Sequence, residues 1–107
     1  MKEYRIIRTK ESYEDLRCIF RYISINLWNH QAANSLHKKI KRKIDDLKFS
    51  PKKYQLIESD DPRLAGLRVV HVDNFKIYYQ VFDEKNCVII YRILYSGVDL
   101  NSIAIER

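Results

Sequence analysis

GLRVVHVDNFKIYYQVFDEKNCVIIYRILYSGVD, residues Gly66 to Asp99, holds three runs rich in Val, Ile and Tyr, at Leu67–Val72, Phe75–Phe82 and Cys87–Ser96. Between them lie Asp73-Asn74 and Asp83-Glu84-Lys85-Asn86. β-Branched and aromatic residues fit a pleated, half-buried surface, and Asp and Asn tolerate turn backbone, so the stretch predicts a three-stranded meander. A two-residue turn at Asp73-Asn74 would pair Val72 with Phe75, Val70 with Ile77 and Arg68 with Tyr79. Val70, Val72, Phe75, Ile77, Tyr79 and Val81 then share one almost wholly apolar face. Leu67, Val69, His71, Lys76, Tyr78 and Gln80 share the other, and a one-residue slip would move Arg68 among them. The last run is apolar on both faces over Val88, Ile89 and Ile90, as in a strand that is central or covered on both sides. Arg92 interrupts it. A guanidinium held there must meet either a carboxylate of this chain or an external anion.

Upstream residues are patterned to cover the apolar face. Tyr4 to Thr9 reads as a first strand. Ser12 can cap a helix with Glu14 and Asp15 in its first turn, and Tyr13, Leu16, Phe20, Ile23 and Leu27 recur at helical spacing as far as about Asn26. Asn29 can cap a second helix, with Trp28 packing as a staple on Ala33. Its stripe is Ala33, Leu36, Ile40, Ile44 and Leu47, and Ser50-Pro51 stops it. Helices joined so closely form a hairpin. The expected fold is α+β, in the order β-α-α-β-β-β: an antiparallel sheet with an N-terminal helical hairpin on one face, one domain over residues 1–107.

Twenty Lys and Arg against 14 Asp and Glu leave a net charge of +6, which favours acidic or phosphate-rich partners. His37, Lys38, Lys39, Lys41, Arg42 and Lys43 fill the gaps in the second helical stripe, either as a nucleic-acid face or as a solvated helix surface. No run approaches the roughly 18 apolar residues of a membrane span, and the start turns charged before any secretory signal develops, so no membrane partner and a cytoplasmic location are expected. Pro51 to Ala65 reads as a crossing loop, and its acids Glu58, Asp60 and Asp61 lack the spacing of a calcium loop. Cys18 and Cys87 stand far apart and outside any zinc-ligand spacing, so both are expected to be buried small apolar residues, with no metal and no cofactor.

Along nearly its whole length the chain resembles the RelE/ParE superfamily of toxins from type II toxin–antitoxin systems. The resemblance lies in the early strand, the helix YEDLRCIFRYI, the second helix ending LKFSP, and the blocks GLRVVHVDNFKIYYQV and VIIYRILYSGVD. It implies neutralisation by a cognate antitoxin, expected to lay an acidic segment against Leu16, Phe20, Ile40 and Arg42. Two targets are implied within the superfamily, messenger RNA cleaved on the ribosome by RelE-like members and DNA gyrase poisoned by ParE-like ones.

Lys76 stands where RNA-cleaving relatives usually carry an arginine at the reacting phosphate, and it lacks the bidentate fork. Their second cation, or His-Tyr pair, is replaced here by Leu94, Tyr95, Ser96, Gly97 and Val98, with Ser102 beyond. Were this chain a nuclease, Lys76, Arg92, His71, Tyr95 and Glu58 would be its candidates for charge stabilisation and proton transfer. RILYSGVD instead resembles the ParE-type ending, with Arg92 and Asp99 matching and Tyr95 replacing a frequent histidine; Arg68 matches as well. The resemblance therefore implies a gyrase-binding toxin that is not an enzyme, touching its target through Arg68, Lys76, Tyr78, Arg92 and Tyr95.

Overall fold

The computed structural model describes residues 3–103, 105 and 107. Its strands are β1 (Arg5–Arg8), β2 (Leu67–Val72), β3 (Phe75–Phe82) and β4 (Cys87–Tyr95), and its long helices are α1 (Lys10–Arg21) and α2 (His30–Asp46). They form one four-stranded sheet in the order β1-β4-β3-β2. The meander has the register set by the Asp73-Asn74 turn, with Val72 opposite Phe75 and Arg68 opposite Tyr79. Asp73 takes the left-handed backbone that such a tight turn requires, at φ 51°.

The sheet is mixed, a correction to the antiparallel one expected. β1 runs parallel to β4 and pairs it from Arg5 opposite Cys87 to Arg8 opposite Ile90. A parallel neighbour needs a long crossover, and here the helical hairpin carries the chain from one sheet edge to begin β2 at the other. β4 is thereby interior along its first half, which explains its two apolar faces.

α1 begins one turn earlier than expected. Thr9, not Ser12, is its cap: the Thr9 Oγ1 accepts from the Ser12 amide at 3.1 Å while its hydroxyl donates to the Tyr91 carbonyl at 2.8 Å. One side chain thus satisfies a free helix amide and ties the helix start to the central strand. Ser12 is fully buried and donates back to the Thr9 carbonyl at 2.8 Å. Beyond Arg21 the helix loosens into a π-helical turn, Tyr22–Asn26. Asn29 does cap α2, its Oδ1 accepting from the Ala32 amide at 3.0 Å. Trp28 is no staple, however; its left-handed backbone (φ 52°) swings the indole outward to 88% exposure.

Leu16 on α1 and Leu36, Ile40, Ile44 and Leu47 on and just beyond α2 pack on Val70, Val72, Ile77, Tyr79, Val88, Ile90 and Ile93 to make the core. The other sheet face is not bare. Residues 55–57 run beside the edge of β2, with the Ile57 amide donating to the Leu67 carbonyl at 2.8 Å and the Val69 amide to the Gln55 carbonyl at 3.2 Å. Leu64, Leu67 and Tyr91 close a smaller cluster there, joined by Ile57, Ile89, Leu100 and Ile105.

Candidate functional site

Among the described residues half of β4 has no strand neighbour on its outer edge, because β1 stops pairing at Ile90. Tyr91 is an extra residue: the register against β3 jumps from Tyr79 opposite Ile90 to Tyr78 opposite Arg92. A bulge of this kind re-aims side chains. Past it, the Ile93 amide on the open edge donates to Asp15 Oδ2 at 3.0 Å, and Arg92 meets the same carboxylate with Nε to Oδ2 at 2.7 Å and Nη2 to Oδ1 at 2.9 Å. Of the two partners the sequence left open for Arg92, the structure supplies the internal one. The pair is mostly enclosed, at 21% and 13% side-chain exposure, and the hydrogen bond that Arg92 donates to Asp15 leads the causes that raise the guanidinium pKa above its usual value.

Across the face turned away from the helices lies a cleft of about 350 Å³. Its floor is Lys76 and Tyr78, one wall is the segment from Gln55 to Ser59, and the other runs from Val98 to Asn101. The 3₁₀ turn that forms the second wall is capped by Asp99, whose Oδ1 accepts from the Asn101 amide at 3.0 Å. Lys76 is half-buried and makes no ion pair within the described residues. Tyr78 is 5% exposed, and burial pushes its phenol pKa upward, so it stays protonated near neutral pH and serves as a donor rather than a base. Glu58 sits exposed on the rim. An ammonium, a phenol and rim carboxylates can hold an anionic or polar group by a few contacts. Stabilising phosphate charge and moving two protons asks for more groups than this.

The other candidates lie elsewhere. Tyr95 points to the helical side, its ring edge-on to Phe75 at 5.9 Å, in an apolar groove of about 660 Å³ shared with Cys18, Ile19, Tyr22 and Ile23. Arg68 also lies on the helical side, where Nη1 donates to the Tyr54 carbonyl at 2.7 Å and the Lys52 carbonyl at 3.3 Å. It pins the segment after α2. His71 is exposed on the edge strand, bordering a hollow with Lys39, Arg42 and Lys43. Leu16 and Ile40, expected against an antitoxin, are 5% and 0% exposed; their helical stripe faces the sheet, so the core takes up Ile40 entirely and leaves only an edge of Leu16 at the surface. Phe20 is half-buried and Arg42 exposed, and both reach the surface. Cys18 is exposed, contrary to expectation, because it falls between Leu16 and Ile19 on the outer side of α1; Cys87 is buried.

Sequence reasoning missed Asp15 as the partner of Arg92, and Gln55, Ser59 and Asn101 as cleft walls. DLNS after the last strand was the available signal, since Asp before a short polar run is a capping pattern. Among the described residues no cluster of His, Cys, Asp or Glu can hold a metal ion, and no helix is long and apolar enough to cross a membrane.

A family model described as the ParE toxin of the type II toxin–antitoxin system parDE matches residues 6–100. Among solved structures, the chromosomal ParDE system from P. aeruginosa has a chain that matches with a TM-score of 0.70 at 18% identity, over 87% of this chain and 96% of that one. The toxin–antitoxin complex RelBE2 from Mycobacterium tuberculosis gives 0.61 at 19% identity, over 89% and 93%. The intact E. coli RelBE complex gives 0.62 at 14%, over 89% and 99%. At such identities the likeness is one of fold. None of the curated proteins matches the chain significantly.

Proposed function

Since this chain belongs to the ParE toxin family of type II toxin–antitoxin systems, we propose that it arrests growth in the cytoplasm by binding and poisoning DNA gyrase until a cognate antitoxin neutralises it. The observation that carries the choice of target is the ion pair between Arg92 and Asp15. It takes from the sheet the arginine that a phosphate-cleaving site would need, leaving Lys76 as the one cation lining the cleft among the described residues. A cleft with a single ammonium, a protonated phenol and exposed carboxylates suits a protein surface better than an in-line displacement at phosphorus. Purified gyrase should lose supercoiling activity when the protein is added at stoichiometric excess. Undiminished supercoiling would remove this reading.

A second reading, a ribosome-dependent messenger RNA endoribonuclease, is favoured by one observation, that Lys76 and Glu58 line the same cleft. It requires translating ribosomes to yield cut messenger RNA with the parent protein and intact messenger RNA with Lys76→Ala.

A further inference from the structure

On the outer side of the helical hairpin, α1 and α2 bound a groove near the end of β1, of about 480 Å³. Its floor is apolar, made by Leu16 and Phe20, and its rim is cationic, made by Arg8, Arg17 and Lys41 with His37 between them. Within the described residues none of these four groups is paired with a carboxylate.

Arg8 is the telling member. Its guanidinium is half-buried, lies 3.9 Å from the centre of the Tyr13 ring, and among the described residues donates hydrogen bonds only to Ser12, with Nε to the hydroxyl at 3.3 Å and Nη2 to the carbonyl at 3.0 Å. A guanidinium carries five donors, and one removed this far from water without a counter-ion is unfavourable until an anion arrives. His37, half-buried with its ring edge-on to Phe20 at 5.9 Å, is turned into the same space. Every charged group among the described residues that border the groove is positive: Arg8 from β1, Arg17 from α1 and Lys41 from its own helix. The imidazole pKa accordingly lies below its ordinary value, chiefly through burial and then through Lys41 and Arg8. The remaining polar neighbours are Asn34 and Tyr13.

We propose that the groove between α1 and α2 binds a carboxylate-bearing segment of a partner polypeptide against Arg8, Arg17 and Lys41, and that His37 takes up a proton when it does. Charge complementarity selects the carboxylates, and the Leu16–Phe20 floor selects a polypeptide, whose apolar side chains can fill it while its acids reach the rim. Carboxylates brought beside the imidazole replace an all-cationic surrounding with an anionic one, which favours the charged ring. The proton is supplied by solvent. The inference rests on the toxin–antitoxin function only for the origin of the segment; the groove and its proton are tested without antitoxin or gyrase.

The probe is an amphipathic peptide of Glu and Leu, titrated calorimetrically into the full-length protein in two buffers of different ionisation enthalpy. The expected result is binding that weakens about tenfold or more in Arg17→Gln/Lys41→Gln, in line with the cost of truncating interfacial charges. Both side chains are exposed, so the variant folds, and circular dichroism verifies it. Affinity should fall as pH rises from about 6 to 8, and proton uptake should be present in the parent and absent in His37→Gln. A peptide that does not bind, or binds the double variant unchanged, overturns the site. So does a thymidine oligonucleotide that displaces it at lower concentration. Equal heats in the two buffers overturn the role of His37. None of these outcomes depends on whether gyrase is inhibited.

Discussion

Arg92 on the central strand and Asp15 on the first helix are joined by two charge-assisted hydrogen bonds, at 2.7 Å and 2.9 Å, across 77 residues of chain. The same carboxylate caps the Ile93 amide at 3.0 Å, so one side chain closes the strand edge that β1 leaves open and neutralises the charge beside it. Losing either partner strands the other in a largely enclosed position.

Asp15→Ala should therefore lower unfolding stability by about 2–4 kcal/mol, because it leaves an uncompensated guanidinium and a free edge amide together. Replacing both residues, as Asp15→Ala with Arg92→Leu, should cost less than Asp15→Ala alone. Urea midpoints of the parent and the two variants check this, and a double variant less stable than Asp15→Ala alone would contradict it.

Lys76 makes no ion pair within the described residues, so Lys76→Ala should leave stability within about 0.5 kcal/mol of the parent. Growth inhibition on expression without antitoxin should nonetheless drop sharply. Unchanged toxicity would take the cleft out of the function under either reading.

Thr9→Val keeps the shape of the side chain but removes both the cap to the Ser12 amide and the donor to the Tyr91 carbonyl. The expected cost is about 1–2 kcal/mol, the range for losing an N-cap. Ser12→Ala leaves that cap in place, so a thermal melt should rank Thr9→Val as the more damaging of the two in helical signal near α1.

Gly66 sits at φ 83°, and a Cβ there would come within 3.0 Å of Gln80 Nε2. Gly66→Ala should destabilise by about 1 kcal/mol or more, since alanine must enter a left-handed conformation as well as displace the amide. Chemical denaturation measures it directly.

Burial raises the phenol pKa of Tyr78, Tyr79 and Tyr91 above the usual 10.0, and for Tyr79 most strongly. Folded-state values above unfolded ones mean that the unfolded chain releases these protons first. The stabilisation is then complete below about pH 10 and declines as pH rises beyond it. The urea midpoint should hold from neutral pH to about 9.5 and fall steeply above that, and more shallowly in Tyr79→Phe. Tyr79→Phe should also be less stable at neutral pH, because its hydroxyl donates to the Pro51 carbonyl at 2.6 Å.

Three strands, their turns and the pairing of Arg68 with Tyr79 were legible in Gly66–Asp99, because adjacent strands joined by a two-residue turn have few registers that keep all apolar side chains on one face. The stripe of α2 was legible for the same local reason. Ser12 misled because a serine ahead of acidic residues looks like a cap, whereas Thr9 is chosen by a bond to Tyr91, 82 positions away. Among the candidate site residues, Lys76, Tyr78 and Glu58 do share a cleft, while Tyr95, His71, Arg68 and Arg92 are dispersed to other surfaces or bound internally.

By itself the sequence determined the elements of the fold, the meander register and the family resemblance, since each rests on periodicity or on neighbours close in the chain. Only the tertiary structure decided that β1 runs parallel to β4, and that the bulge at Tyr91 puts Arg92 on Asp15 rather than in the cleft. Both depend on which strand edges are left unpaired after the helical hairpin has crossed the sheet. Gly66–Asp99 specifies its own pairing but not what arrives at its free edge, and that arrival sets which of its cations remain available to a partner.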